Sequence, residues 1–564
     1  MKYIFISGGV VSGLGKGITS ASISMLLQSQ GYTISPIKVD MYMNIDSGTL
    51  RPSEHGEVFV TKDGMETDQD IGNYERFLNK SLNRKNYITL GQIFQEVIRK
   101  ERSLEYGGET VDFIPHVTDE IIRRIREAGE QDNADFVVVE LGGTVGEYKN
   151  AIFYESARMM KMQNPGDVAF VHVVYIPFLA HIGELKTKPA QASVHVLNGL
   201  GIQPDFLVAR AEKALDEPRL KRLSLFCNVT PENVFANPDV ESIYEIPMLF
   251  EKQEMSKKLL AHFGMDPRKS EIEKWESFYH NLIHYNNSIK IGLVGKYFAS
   301  GEFVLSDAYI SVIEAVKHAS SYSRIKVEQI WINSEEIEAK GTDILKGLDG
   351  IVIPQGWGSR GVEGKIKAIQ YARENKIPYL GLCFGMQMAV IEYGRNVLGW
   401  EDSNTEEANP NTPHPVIHVM PHQKEYLANK QYGGTIRLGA WPCLVEEGTH
   451  LHAAYELMGE HFHDTDDLRD WWKENGADVP SNADIVFERH RHRYEFNNSY
   501  REEFEKNGFV LSGTSPDGLL VEAIELKDHP FYVGTQFHPE LKSRPLRPHP
   551  LFVAFIDASL KNRK

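Results

Sequence analysis

A chain of 564 residues is long enough for about two to four domains, each with its own core. Its formal charge of −17 speaks against a non-specific nucleic-acid binder, so no nucleic-acid partner is expected. Only three cysteines occur, Cys227, Cys383 and Cys443, far apart and without a CxxC pair, which speaks against a disulfide scaffold or structural zinc and for a reducing compartment. No apolar run approaches the ~18 residues of a membrane-spanning helix, and the N-terminus enters a strand rather than a signal peptide; a cytoplasmic protein without a membrane partner is expected.

Lys2–Ile6 reads as a strand, Ser7–Gly17 (SGGVVSGLGKG) as a glycine-rich loop, and the following residues as a helix ending at Gly31, with Ile18, Ile23, Leu26 and Leu27 at helical spacing. Strand, glycine loop and helix are the context in which backbone N–H groups and a helix N-terminus cradle polyphosphate, with Lys16 on the outer phosphates. The match to the Walker pattern is imperfect. Val10 stands where the first glycine belongs, and Gly17 replaces the Ser or Thr after the lysine. Thr33–Asp40 reads as a second strand that brings Lys38 and Asp40 to its C-terminal end, the edge where open α/β sheets bind ligands.

Asp68 and Asp70, two apart in a polar glycine-rich run, can point one carboxylate at a hydrated Mg²⁺, although a DxD alone is weak. Asn133–Glu140 is a clean buried strand with an acid at its end, a frequent position for a second Mg²⁺ carboxylate near a phosphate loop. Val168–Pro177 is another such strand. After it, Lys186, Thr187, Lys188 and Gln191 form a donor cluster read as a phosphate clamp, with a solvated charged face as the plain alternative. Pro204–Arg210 adds a further strand, and the alternation implies a parallel doubly wound sheet. From Phe250 to about Asn287 the chain becomes charged and helical, which places a linker there.

Ser288–Tyr297 restarts an α/β pattern. Within Ile377–Asn396, a strand leads into Gly381-Leu382-Cys383-Phe384-Gly385 and then a helix: an elbow whose glycines permit a strained turn that thrusts the nucleophile out. A thiolate at a helix N-terminus is stabilised, so Cys383 is the candidate nucleophile. Thr535–Glu540 (TQFHPE) supplies a base and its orienting acid, His538 and Glu540, on one face of an extended segment. Arg489–Asn497 (RHRHRYEFN) suits the orientation of a carboxylate substrate; a metal site through His490 and His492 lacks further ligands at the right spacing. Gly459–Ser481 reads as a surface insertion.

Taken together, GGVVSGLGKG, HGEVFVTKDG, ETDQDIGNYERF, VVVELGGTVGE, GELKTKPAQASV, RGVEGKI, YLGLCFGMQ, GTIRLG, RHRHRYE and QFHPE resemble CTP synthases along nearly the whole chain. The resemblance implies an α/β protein with an N-terminal P-loop, Rossmann-like amidoligase (synthetase) domain over residues 1–266. A linker over 267–288 and an α/β class I glutamine amidotransferase domain over 289–564 would follow. It implies a ligase of pyrimidine biosynthesis in which MgATP phosphorylates O4 of UTP and ammonia from glutamine displaces the phosphate to give CTP. By motif, ATP would lie on Ser12, Gly13, Leu14, Gly15, Lys16 and Gly17, with Arg210 near the adenine, Asp70 and Glu140 on Mg²⁺, and Lys38 near the transferred phosphoryl group. UTP and CTP would meet Ser12, Glu147, Glu155, Arg158, Lys186, Thr187, Lys188, Gln191 and Arg222. Glutamine would meet Gly356, Cys383, Phe384, Gly385, Gln387, Glu407 and Arg493, with Gly356 N–H in the oxyanion hole. The resemblance also implies GTP as activator, CTP as feedback inhibitor and a homotetramer, and leaves filament formation open.

The sequence departs from the family pattern at several places. DMYMN puts Met41 in place of a proline, and GGTVGEYKN puts Glu147 and Lys149 in place of two acids near the feedback pocket. Gln355-Gly356-Trp357 replaces Gly-Gly-Phe, which strains Gln355 if the lost glycine had positive φ. Arg222 replaces a lysine. Two other readings compete: a sibling amidoligase with another substrate, and a non-catalytic P-loop switch or filament protein with a retired glutaminase.

Overall fold

The structure, a computed structural model, describes residues 1–300, 303–304, 306–420, 423–429, 431, 433–459, 468–469, 472 and 484–563. It divides into two compact units: Met1–Asp46 with Asp70–Tyr279, and Ser47–Gln69 with His280–Lys564.

The first unit is built on β1 (Lys2–Gly8), β2 (Ile34–Asp40), β3 (Tyr87–Thr89), β4 (Phe136–Leu141), β5 (Val168–Ile176), β6 (Phe206–Ala211) and β7 (Val234–Pro238). All pair in parallel, in the order β7-β6-β5-β1-β4-β2-β3. Both faces of this sheet are covered, which is why its strands are continuous apolar runs rather than alternating ones. Successive β1 residues feed opposite cores: Ile4 and Ile6 pack with Leu26 and Val138, Tyr3 and Phe5 with Val139 and Phe170. Helix α1 (Lys16–Ser29) follows the glycine loop and buries Ile23, Leu26 and Leu27. Two further helices matter below, α2 (Gln69–Leu78) and α3 (Lys188–Gly199). The register sets Glu140 of β4 opposite both Ile6 of β1 and Lys38 of β2, so strand pairing alone brings an acid and a lysine together at the C-terminal edge.

Part of the stretch read as a linker belongs to this unit's core. Trp275 and Phe278 are buried against Phe77 and Tyr244, and the Trp275 indole N–H donates to the Tyr244 carbonyl at 2.9 Å. An aromatic buried this way is hidden inside an otherwise charged, amphipathic helix.

The second unit contains β8 (Asn287–Gly295), β9 (Ile325–Asn333), β10 (Gly350–Ile353), β11 (Tyr379–Leu382), β12 (Arg437–Val445), β13 (Ile485–His492), β14 (Phe509–Thr514), β15 (Val521–Leu526) and β16 (Tyr532–Thr535). Their order is β9-β8-β10-β11-β16-β15-β14-β12-β13. The half from β9 to β16 is parallel and the remainder antiparallel. Helix α4 (Phe384–Asn396) starts one residue after β11, leaving Cys383 alone in the turn. Residues 47–69 belong here by their hydrogen bonds. Glu57 accepts from Ser311 N at 3.0 Å, Lys62 O from Ala440 N at 2.8 Å, and Val60 O from Arg489 Nη1 at 3.0 Å. Most of the insertion 459–481 lies outside the described residues. Of it, Trp472 is buried on Trp441 and donates to the Ala440 carbonyl at 3.2 Å.

Among the described residues no helix is long and apolar enough to cross a membrane.

Candidate active sites

In the first unit the glycine loop bends Lys16 back over the end of β1, where its Nζ donates to the Gly143 carbonyl at 2.7 Å. Val10, at the position of the missing Walker glycine, takes a left-handed φ of 58°. For a β-branched residue that is an outlier, of the kind found where a loop is shaped for a ligand. The second departure has a steric cause. A Cβ at Gly17 would collide with the Asp70 carboxylate, which the N-terminal turn of α2 presses against the first turn of α1.

Lys38 Nζ donates to Asp70 Oδ2 at 2.5 Å and to Glu140 Oε1 at 3.0 Å, and Asp40 Oδ1 lies 3.9 Å away. The Tyr74 hydroxyl, which the sequence did not single out, donates to the other Glu140 oxygen. Burial strips water from this cluster and lowers the Lys16 ammonium; the Glu140 carboxylate counteracts this and Lys38 adds to it. At Asp70 the effect of burial is outweighed by Lys38, so its carboxyl is lowered. Burial, with the neighbouring Asp70 charge, raises Glu140. Two carboxylates, one buried and one half-buried, share the single ammonium of Lys38. Their hard oxygens suit a divalent cation of the Mg²⁺ type. Asp68 is half-buried one residue before α2.

The donor cluster also assembles. Lys186, Thr187, Lys188, Gln191 and Arg222 line one cavity at the start of α3, joined by Arg219, which sequence reasoning missed. Glu184 holds Lys186 at 2.6 Å and Arg219 at 3.0 Å. The other residues expected at the pyrimidine nucleotide do not line that cavity. Glu155 and Arg158 pair with each other at 2.6 Å, and Glu147 caps the Thr144 backbone N–H at 2.6 Å. Lys149 Nζ lies 3.9 Å from Glu147 and is largely exposed. Arg210 pairs with Asp239 at 2.5 Å, and Ser12 is exposed in the loop.

In the second unit Cys383 occupies the turn between β11 and α4 with φ 52° and ψ −98°. Gly385 is required because a Cβ there would strike the Ile353 carbonyl oxygen of β10. His538 Nδ1 donates to Glu540 Oε1 at 2.7 Å, which leaves Nε2 without a hydrogen-bond partner among the described residues. Burial lowers the His538 imidazole, but the Glu540 carboxylate and the Cys383 sulfur overcome it and push it up to about 10. Cys383, His538 and Glu540 line one cavity with Gly356, Gln387 and Glu407; Arg493 and Tyr494 also line it. Both amide hydrogens of Gln387 face acceptors, Tyr494 O at 2.8 Å and Gln536 Oε1 at 3.3 Å. Glu407 accepts from Gly358 N at 2.7 Å, and burial raises its carboxyl. Phe384 is buried, with Lys296 Nζ 4.6 Å from its ring centroid.

One sequence expectation resolves differently. Gln355 is not at positive φ, so the feared strain is absent; its amide instead donates to Glu57 at 3.0 Å. The RHRHRY stretch brings Arg491, His492, Arg493 and Tyr494 to the lining of the Cys383 cavity. His490 and His492 are buried and hydrogen-bonded to each other at 3.0 Å, which suits structure rather than metal binding. Arg489 is tied to Val60 O and Arg491 to Glu66 at 2.8 Å. Arg493, held by Gln423 at 2.7 Å and Thr435 at 2.9 Å, reaches the Cys383 cavity.

Comparison with known proteins decides the family. Residues 2–265 match the family described as CTP synthase N-terminus, and 304–558 match Glutamine amidotransferase class-I. A CTP synthase of Caldanaerobacter subterraneus subsp. tengcongensis is 48% identical over 561 residues, 99% of this chain and 98% of that one. One of Clostridium perfringens is 46% identical over 564 residues, 100% of this chain and 99% of that one. The chain belongs to the CTP synthase family. A solved structure, the glutaminase domain of Trypanosoma brucei CTPS with bound acivicin, is 34% identical over 48% of this chain and 94% of that chain, with a TM-score of 0.40. A CTP synthase is a glutamine-hydrolysing ligase: it aminates UTP to CTP at the expense of ATP, with nitrogen from glutamine. The sibling-amidoligase and non-catalytic readings fall away.

Proposed function

We propose the following division of the reaction between the two units. The synthetase domain, residues 1–266, binds ATP on Ser12–Gly17 with Lys16 at the outer phosphates and Arg210 toward the adenine. Lys38 neutralises the phosphoryl group as it passes to O4 of UTP. Lys186, Thr187, Lys188, Gln191 and Arg222 hold the UTP triphosphate, and Arg219 joins them; Ser12, Glu147, Glu155 and Arg158 complete the nucleotide contacts. Asp70 and Glu140 hold Mg²⁺, which when bound neutralises phosphate charge. Ammonia then displaces phosphate from C4.

In the glutamine amidotransferase domain, residues 289–564, Cys383 Sγ attacks the side-chain amide carbon of glutamine. His538 carries the Sγ proton to the departing nitrogen, and Glu540 fixes the imidazole so that Nε2 performs the transfer. Gly356 N–H supports the oxyanion next to Phe384 and Gly385. Gln387, through its remaining Oε1, and Glu407 suit the α-ammonium, and Arg493 suits the α-carboxylate. GTP activates and CTP inhibits, in a homotetrameric, cytoplasmic enzyme.

The observation that carries this reading is the strained Cys383 elbow with His538 and Glu540 converging on one cavity. The experiment follows the ultraviolet absorbance change of UTP conversion with ATP and Mg²⁺, glutamine being exchanged for ammonia. CTP from both nitrogen sources is expected; absence of product from both would overturn the reading.

A further inference from the structure

Beside Cys383 stands a polar group that the triad does not use. Gln536 directly follows β16, is fully buried, and lies two residues before His538, on the same side of the extended segment. Its Nε2 is 3.6 Å from Cys383 Sγ.

The orientation of this amide follows from its surroundings. The Tyr494 carbonyl can only accept, so the Gln387 group 2.8 Å from it is the NH₂. That same NH₂ lies 3.3 Å from Gln536, so the Gln536 atom facing it is the acceptor Oε1. The other end of the Gln536 amide, a donor, is thereby aimed at the sulfur. A chain of two glutamines anchored on one backbone carbonyl delivers an N–H to the nucleophile. Unlike the imidazolium of His538, this donor keeps its hydrogen at every pH at which the protein is folded.

We propose that Gln536 is a further catalytic residue of the glutaminase reaction, its side-chain N–H bonding the negative charge on Cys383 Sγ. The inference rests on Cys383 being the nucleophile. In the step concerned, the Sγ proton passes to His538 Nε2 and sulfur bonds to the amide carbon. The C–N bond then breaks, and the proton leaves with nitrogen as ammonia. The Gln536 N–H gives up nothing. It lowers the energy of the sulfur while charged, before attack and again when water releases it from the thioester.

The test compares wild type with Gln536→Glu, which puts an acceptor where the donor was, and Gln536→Met, which removes the donor while keeping the volume. Two quantities are read on the full-length enzyme: iodoacetamide alkylation of Cys383 across pH, with Cys383→Ala as blank, and kcat and KM for glutamine hydrolysis. A lost hydrogen bond to a charged group predicts alkylation at neutral pH and kcat both about tenfold lower in Gln536→Met and lower still in Gln536→Glu. The alkylation profile moves to higher pH, and KM changes less than kcat. Superimposable alkylation profiles would overturn the proposal, as would a loss confined to KM. Should Gln536→Glu fail to fold, Gln536→Met alone decides. Glutamine hydrolysis by the Cys383→Ala blank would instead overturn the nucleophile assignment, and the role of Gln536 with it.

Discussion

The two sites solve opposite electrostatic problems. Around Lys38 the protein gathers two carboxylates, the buried Glu140 and the half-buried Asp70, and a second lysine, and Glu140 is raised by burial and by the neighbouring Asp70 charge. Around Cys383 it gathers a nucleophile, a base and a carboxylate whose charges compensate one another, and the His538 imidazole is pushed up as a result. In the proposed reading, the first arrangement is completed by what it binds, polyphosphate and a divalent cation. The second is complete in itself and receives a small zwitterion. The sequence mirrors this difference. The nucleotide site draws on β1, β2, β4 and α2, whereas each glutaminase element is a short local motif.

Breaking the first site has the larger expected effect. Replacing Lys38 with alanine leaves Asp70 and Glu140 without their shared cation and, on the proposed reading, removes the charge that neutralises the transferred phosphoryl group. CTP formation from glutamine and from ammonia is expected to fall together, by about a thousandfold or more, with glutamine hydrolysis measured separately as the control. Gly17→Ala tests the same cluster by steric means. Its Cβ would push the Asp70 carboxylate aside, so the Mg²⁺ concentration for half-maximal synthesis should rise about 10–100-fold.

In the second site, Glu540→Gln keeps the shape but removes the charge that raises His538. The imidazole falls from about 10 toward its ordinary range, and glutamine hydrolysis should drop about 10–100-fold, read as kcat. The smallest effect concerns stability. Glu488 is buried; burial alone would raise it, but Lys542 and His549 hold it at about 2 against an ordinary 4.5. Because the folded value lies below the unfolded one, the stabilisation is fully present above about pH 4.5. It is lost as pH falls through 2, and amounts to roughly 3 kcal/mol. Acid unfolding followed by circular dichroism should therefore be less pH-dependent between 4.5 and 2 in Glu488→Gln than in wild type.

What was legible in the sequence follows the same division. The Cys383 elbow and the His538–Glu540 spacing are local, and the structure keeps them as read. Lys16 and the strand–loop–helix are local too, and so is the run Lys186–Gln191. What was not legible needs strand pairing or side-chain facing. That Lys38 contacts both Asp70 and Glu140 depends on the register of β2 and β4 and on where α2 begins. Arg219 joins the donor cavity across a helix turn that no motif marks, and Trp275 sits in a core under a charged stretch. Within the RHRHRY run, the tie of Arg489 to Val60 O and the mutual hydrogen bond of His490 and His492 are likewise invisible without the fold. The glycine in place of a Walker Ser or Thr looked like a weakness and proved to be room for Asp70.

The most direct test of this separation is CTP formation by the Cys383→Ala enzyme with UTP, ATP and Mg²⁺, supplied first with glutamine and then with ammonia. Removing a catalytic nucleophile should cost at least about ten-thousandfold with glutamine, while synthesis from ammonia stays near the wild-type rate. Equal loss with both nitrogen sources would show that the two sites are not chemically separate and would contradict the account.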